Sequence, residues 1–126
     1  MRYTIDREAR IFHLDLNRPV SAQDALEQAL ALLDAEPDIW TWDWIVHSTV
    51  VPEDATVEQI ARLARIFATQ KGAPATTVLV SDDGYLHLWA KVMDFQFPHR
   101  KHLVIRDIAM ARDLIFSRRP GKMNRK

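Results

Sequence analysis

The segment Trp42 to Val51, reading WDWIVHSTVV, constrains the fold more than any other stretch of the chain. It is dense in β-branched and aromatic residues, and neither of its alternating sets is wholly polar, so as a strand it is apolar on both faces. Such a strand needs a neighbour on each side and cover above and below. It is therefore expected inside a sheet rather than at its edge. A chain of 126 residues, 48% apolar and 27% charged, has the means to bury it. A single domain of this length removes about two-thirds of its unfolded surface from water.

The remaining elements arrange themselves around that strand. Tyr3 to Asp6 and Arg10 to Leu16 are short β runs separated by Arg7, Glu8 and Ala9. Phe12, Leu14 and Leu16 alternate with His13 and Asp15, which predicts a hairpin with one buried face. Ser21 is placed to cap a helix with the stripe Leu26, Ala29, Leu30 and Leu33, and Pro37 ends it. Thr56 with Gln59 forms a capping-box pattern ahead of the stripe Val57, Ile60, Ala61, Ala64 and Phe67. Thr76 to Val80 is a short continuous β run, the fourth β region. After the turn Ser81 to Gly84, Tyr85 to about Phe95 is expected to be helical, with Leu86, Trp89, Val92 and Met93 inward. His102 to Ile105 is the last strand. Asp107 then caps a helix whose inward residues are Ile108, Ala111, Leu114 and Ile115. The order ββαβαβαβα predicts an α/β domain with a mixed sheet of about five strands and four helices, its parallel pairs joined by right-handed crossovers.

Seventeen basic residues balance seventeen acidic ones, but unevenly along the chain. Residues 1 to 60 carry about −8 and residues 61 to 126 about +8. The halves either neutralise one another within the fold or leave a dipole that favours a weak, salt-sensitive homodimer. The final nine residues, RRPGKMNRK, hold five bases, no acid and one large apolar side chain, so 118 to 126 is expected to be a disordered basic tail following a domain over 1 to 117. Balanced charge gives no reason to expect a nucleic-acid partner. With no cysteine, disulfides and thiolate chemistry are excluded. No apolar run nears the roughly 20 residues that span a bilayer, and the opening MRYTIDREARIF has charges where a secretory signal has its apolar core, so a cytoplasmic protein is expected.

Catalytic and cofactor signatures are sparse. Neither GxGxxG nor GxxxxGK[ST] occurs, and three glycines leave no phosphate-cradling loop to assign, so no cofactor is expected. GxSxG and HExxH are also missing. The histidines at 13, 47, 87, 99 and 102 give no converging metal set, and His99 lies in the basic stretch Pro98 to Lys101. Asp82 with Asp83 and Glu53 with Asp54 read as solvated turn and cap residues. Trp40, Trp42 and Trp44 alternate, which in an extended segment sets all three indoles on one side. They either pack beneath the helices as core or, with Trp89 and Phe97 of a second aromatic cluster made by Tyr85, Trp89, Phe95 and Phe97, line an apolar cleft.

Three phrases carry a family resemblance: YTIDREARIFHLDL, WDWIVHSTVV followed by VEQIARLARIF, and HLVIRDIAMARDLIF. Together, across residues 3 to 117, they resemble the hairpin, central strand with its regulatory helix, and closing strand and helix of the STAS-like, SpoIIAA-like domains related to anti-sigma-factor antagonists. The resemblance implies a mixed-sheet α/β domain that acts by binding. It also implies a phosphorylatable Ser or Thr near the start of the helix after the central strand. Here that position is Thr56, in EDATVEQ, which is also an ordinary N-cap; the family's Asp-Ser-Ser-Gly phrase does not occur.

The functional expectation is a non-enzymatic regulatory module with a protein partner. The alternative is a carrier of a small apolar ligand, or a peripheral binder of anionic membrane surfaces. In that reading Trp42, Trp44, Trp89 and Phe97 form the cleft and residues 118 to 126 add lipid attraction.

Overall fold

The opening hairpin pairs β1 (Arg2–Asp6) with β2 (Ile11–Asp15), antiparallel, with Thr4 opposite His13. Its turn is held by Asp6, whose Oδ1 accepts the Ala9 N–H at 3.0 Å. The chain enters β2 through Arg10 at φ 57°, a left-handed conformation that crowds the Cβ of any residue but glycine. The structure, a computed structural model, describes residues 2–15, 22–47, 58, 61, 75–81, 90–94 and 100–119.

Helix α1 (Ala22–Ala35) has Leu33 fully buried and Leu30 half-buried, while Asp24, Glu27 and Gln28 are exposed, as the stripe predicts. Pro37 stops it, because the residue before a proline is disfavoured in the helical region. The proline's own φ suits the start of a new turn, and Pro37–Thr41 coils as a 3₁₀ helix. This delays the central strand: β3 is Asp43–His47, beginning one residue later than expected. Trp40 falls in the 3₁₀ turn, so the alternation that would align three tryptophans holds only for Trp42 and Trp44.

Strands β4 (Ala75–Val80) and β5 (Arg100–Ile105) follow. Between them, α2 comprises the helical residues 90–94; a 3₁₀ turn at Ile108–Met110 then leads into α3 (Ala111–Arg118). Asp107 caps as expected, its Oδ1 accepting the Ala109 N–H at 2.9 Å. Three helices thus stand among the described residues. Glu58 and Ala61 are helical, but most of the expected helix over Val57 to Phe67, with Thr56 and Ser21, lies outside the described residues.

The five strands form one mixed sheet in the order β1-β2-β3-β4-β5. β2, β3, β4 and β5 are mutually parallel, and only β1 runs antiparallel to its neighbour. β3 is central, as its two-sided apolar character requires. Alternation along the strands sorts the core into two layers. Phe12, Leu14, Trp44, Val46 and Leu79 pack with Leu33 and Ile39 and with Ala90 of α2. Ile11, Ile45, Val78 and Val80 pack on the opposite face with Ala111 and Ile115 of α3.

Two expectations at the C-terminal end require correction. Ile108 is 40% exposed rather than inward, because it belongs to the turn leading onto the sheet and not to the helix lying against it. The segment expected to be disordered from residue 118 begins with placed residues: Arg118 closes α3, and Arg119 follows it in an ion pair with Asp43. The remainder, from 120 onward, is outside the described residues.

Candidate functional site

Polar groups gather at both ends of the parallel strands. At the amino ends, Asp43, Thr76, Thr77, Arg100 and His102 are all buried, and bonds within the fold engage each of them. Asp43 accepts the Thr76 backbone N–H through Oδ1 and the Arg119 Nε through Oδ2, both at 2.7 Å. One carboxylate thereby joins β3, β4 and the end of α3. Arg100 donates to Thr77 Oγ1 at 2.9 Å and to the Trp42 carbonyl at 2.8 Å, while its guanidinium lies 5.4 Å from the centre of the Trp44 ring. Burial lowers its pKa to about 10, against the pull of the Asp43 charge, so it is still protonated at neutral pH.

The tryptophans belong to this region. Trp42 and Trp44 are 9% and 6% exposed, within the first core layer. The Trp44 indole donates to the Ile39 carbonyl at 2.8 Å and meets Phe12 edge-on with ring centres 4.9 Å apart. Both therefore act as core side chains, and the Trp44 indole N–H is directed into the fold. Trp89 and Phe97, the other two residues expected to line a cleft, lie outside the described residues.

Beside this cluster, Asp94 of α2 clamps β5. Its Oδ1 accepts the His102 backbone N–H at 2.6 Å and lies 3.1 Å from the ring Nδ1; its Oδ2 accepts from the Lys101 ammonium at 2.9 Å. Partial burial opposes the Asp94 charge, but the hydrogen bonds from Lys101 and His102 prevail and hold its pKa below the usual carboxylate range. His102 shifts the other way. Burial depresses its pKa to about 4, the Asp94 bond opposing this and the Arg100 and Lys101 charges reinforcing it.

The carboxyl ends present a different set. Asp15 of β2 stands in register with His47 of β3, and His13 shares their face by strand alternation. This is the layer that α3 covers further along the strands, at Ile11 and Ile45. His13 is half-buried, and its pKa is lowered by burial first and by His47 second. The neighbouring strands do bring His13 and His47 together. No group of three or more His, Asp or Glu side chains among the described residues is disposed to hold a metal ion.

Two anchoring residues escaped sequence reading. Arg100 lay beside the last expected strand, in a basic stretch resembling surface, and nothing local signals that its guanidinium is buried. Asp43 read as a polar residue near the start of a strand; its partners Thr76 and Arg119 lie 33 and 76 positions away. No described helix is long and apolar enough to cross a membrane. Comparison with protein-family models, curated proteins and solved structures finds none that matches this chain.

Proposed function

We propose that the chain is a non-enzymatic binding module of STAS-like type, whose working surface is the carboxyl edge of the parallel strands. The observation that carries this reading is the register of Asp15 with His47 at the carboxyl side of β2 and β3, just ahead of the segment that holds Thr56. At the amino edge Asp43, Arg100, His102 and Asp94 are engaged in bonds that join separate elements, which is structural work. Binding residues concentrate on connecting segments held by a rigid scaffold, and such segments follow the carboxyl ends of the strands. There His47 of β3 stands in register with Asp15, and the chain continues toward Thr56. The family resemblance puts its phosphorylatable position at that same place in the chain. The buried positions of Trp42 and Trp44 favour this reading over the apolar-ligand or membrane alternative.

The test is affinity capture from a native extract with the intact chain and with Thr56→Glu. A specific partner retained by one form and altered in the other is expected. Equal capture by both forms would remove the switch role of Thr56. No partner with either form, together with a blue shift of tryptophan emission on adding anionic vesicles or fatty acid, would transfer the reading to the apolar-ligand or membrane class.

A further inference from the structure

The strand β1, Arg2-Tyr3-Thr4-Ile5-Asp6, lies at one edge of the sheet, and among the described residues nothing pairs with its outer side. Tyr3 is 50% exposed and Thr4 is exposed, while Ile5 is half-buried. An open edge is a template for another strand, and folded proteins normally guard it with lysine, proline or a bulge. The opposite edge, β5, has such a guard in the exposed Lys101. β1 has no lysine, no proline and no charge at its three central positions.

Its sequence is complementary to itself when reversed. In an antiparallel pairing of two copies centred on Thr4, position 2 meets position 6, Tyr3 meets Ile5, and Thr4 meets its own copy. The sequence has a base at position 2 and an acid at position 6, so this register sets residues of opposite formal charge across from one another at both ends. An aromatic and a β-branched side chain pair on one face, and two threonines meet at the axis. These are the cross-strand combinations that stabilise antiparallel sheets. Opposed positions in this register are either both odd or both even, so whichever set of amides points outward on one copy finds the matching set on the other.

We infer that β1 is a homodimerisation edge, joining two copies of this chain across a two-fold axis at Thr4 into one continuous ten-stranded sheet. The two-fold places like faces on the same side. Tyr3, whose ring centre is 6.0 Å from that of Phe12, and Ile5, packed on the first core layer, then continue that layer across the junction. A second copy is preferred to an unrelated strand because this strand, reversed, supplies the complement at every position of the register. The contact is short, so association is weak and concentration-dependent. Salt screens the paired end charges and loosens it. This inference is independent of the binding-module reading, since it uses the opposite end of the sheet order from β5 and none of Thr56, His47 or Asp15.

Sedimentation velocity on the full chain over a concentration series tests it. The intact protein should rise from 14.6 kDa toward twice that mass. Thr4→Lys and Thr4→Asp each set like charges face to face at the axis and should remain monomeric, whereas an equimolar mixture of the two should recover the dimer. Arg2→Glu, which opposes two acidic positions, should also dissociate it. Recovery on mixing cannot arise from a folding defect in either variant. An intact chain that stays monomeric throughout, variants that dimerise as the parent does, or a mixture that remains monomeric would each overturn the proposal.

Discussion

Arg119, just beyond the last helix, donates its Nε to the Asp43 carboxylate at the start of the central strand, at 2.7 Å. The same arginine reaches the Arg10 carbonyl at 3.2 Å and lies 4.8 Å from the centre of the Phe116 ring. A basic residue of the second half of the chain thus neutralises an acid of the first. Arg112 does the same with Asp6 at 3.1 Å. The opposed charges of the two halves are in part reconciled within the fold.

Removing the Asp43 carboxylate should therefore loosen three elements at once. Asp43→Ala leaves the buried Thr76 N–H without this acceptor and Arg119 without its partner, and should lower unfolding stability by about 2 to 4 kcal/mol. Asp43→Asn keeps an oxygen for Thr76 and should lose less. Denaturant titration of both variants, with Arg119→Ala and the double variant completing a cycle, measures the coupling. Additive effects would show that the pair contributes nothing beyond its separate members.

Acid should destabilise the fold through His102. Its folded pKa of about 4 lies below the ordinary 6.5, so the unfolded chain takes up the proton first. The stability contribution of the neutral ring is complete above about pH 6.5 and is lost as pH falls toward 4. The loss amounts to something on the order of 3 kcal/mol. Asp94 titrates below this window, since its own pKa is held low. His102→Asn should be less stable at neutral pH but should flatten the decline between pH 6.5 and 4, read by thermal melts across that range. An unchanged slope would assign the acid sensitivity elsewhere.

The buried guanidinium should not tolerate its nearest chemical substitute. Arg100 spans Thr77 and the Trp42 carbonyl with separate nitrogens while stacking on Trp44. A lysine offers one compact ammonium and no planar fork. Arg100→Lys should cost about 1 to 3 kcal/mol and alter the near-ultraviolet dichroism of the tryptophans, whereas Lys101→Arg on the exposed side of the same strand should leave both nearly unchanged.

One substitution should stabilise the protein. Arg10 holds φ 57° at the end of the hairpin turn, a conformation that costs a side chain with a Cβ about 1 kcal/mol and glycine almost nothing. Its carbonyl, the group Arg119 uses, remains in Arg10→Gly. The variant should melt higher by a few degrees, the shift corresponding to up to about 1 kcal/mol in a domain of this size. A lower melting temperature would mean that the arginine side chain contributes more than its backbone strain removes.

Local sequence determined the elements that depend on neighbours a few residues apart. The hairpin, the apolar stripe of α1, its stop at Pro37, the Asp107 cap and the interior place of β3 all follow from periodicity, side-chain shape and capping chemistry, which act over one or two turns or a single strand. Trp40 and Ile108 departed from that pattern because 3₁₀ turns interrupt the regular spacing on which their placement was reckoned. What only the tertiary structure decided is how the polar residues are used. Nothing near Asp43 or Arg100 in the chain distinguishes an anchoring charge from a solvated one. The difference is made by Thr76, Thr77 and Arg119, which parallel strand pairing and the return of α3 bring into contact. Burial then turns a bond that would be weak in water into one that holds three elements together, and that burial exists only once the sheet has formed.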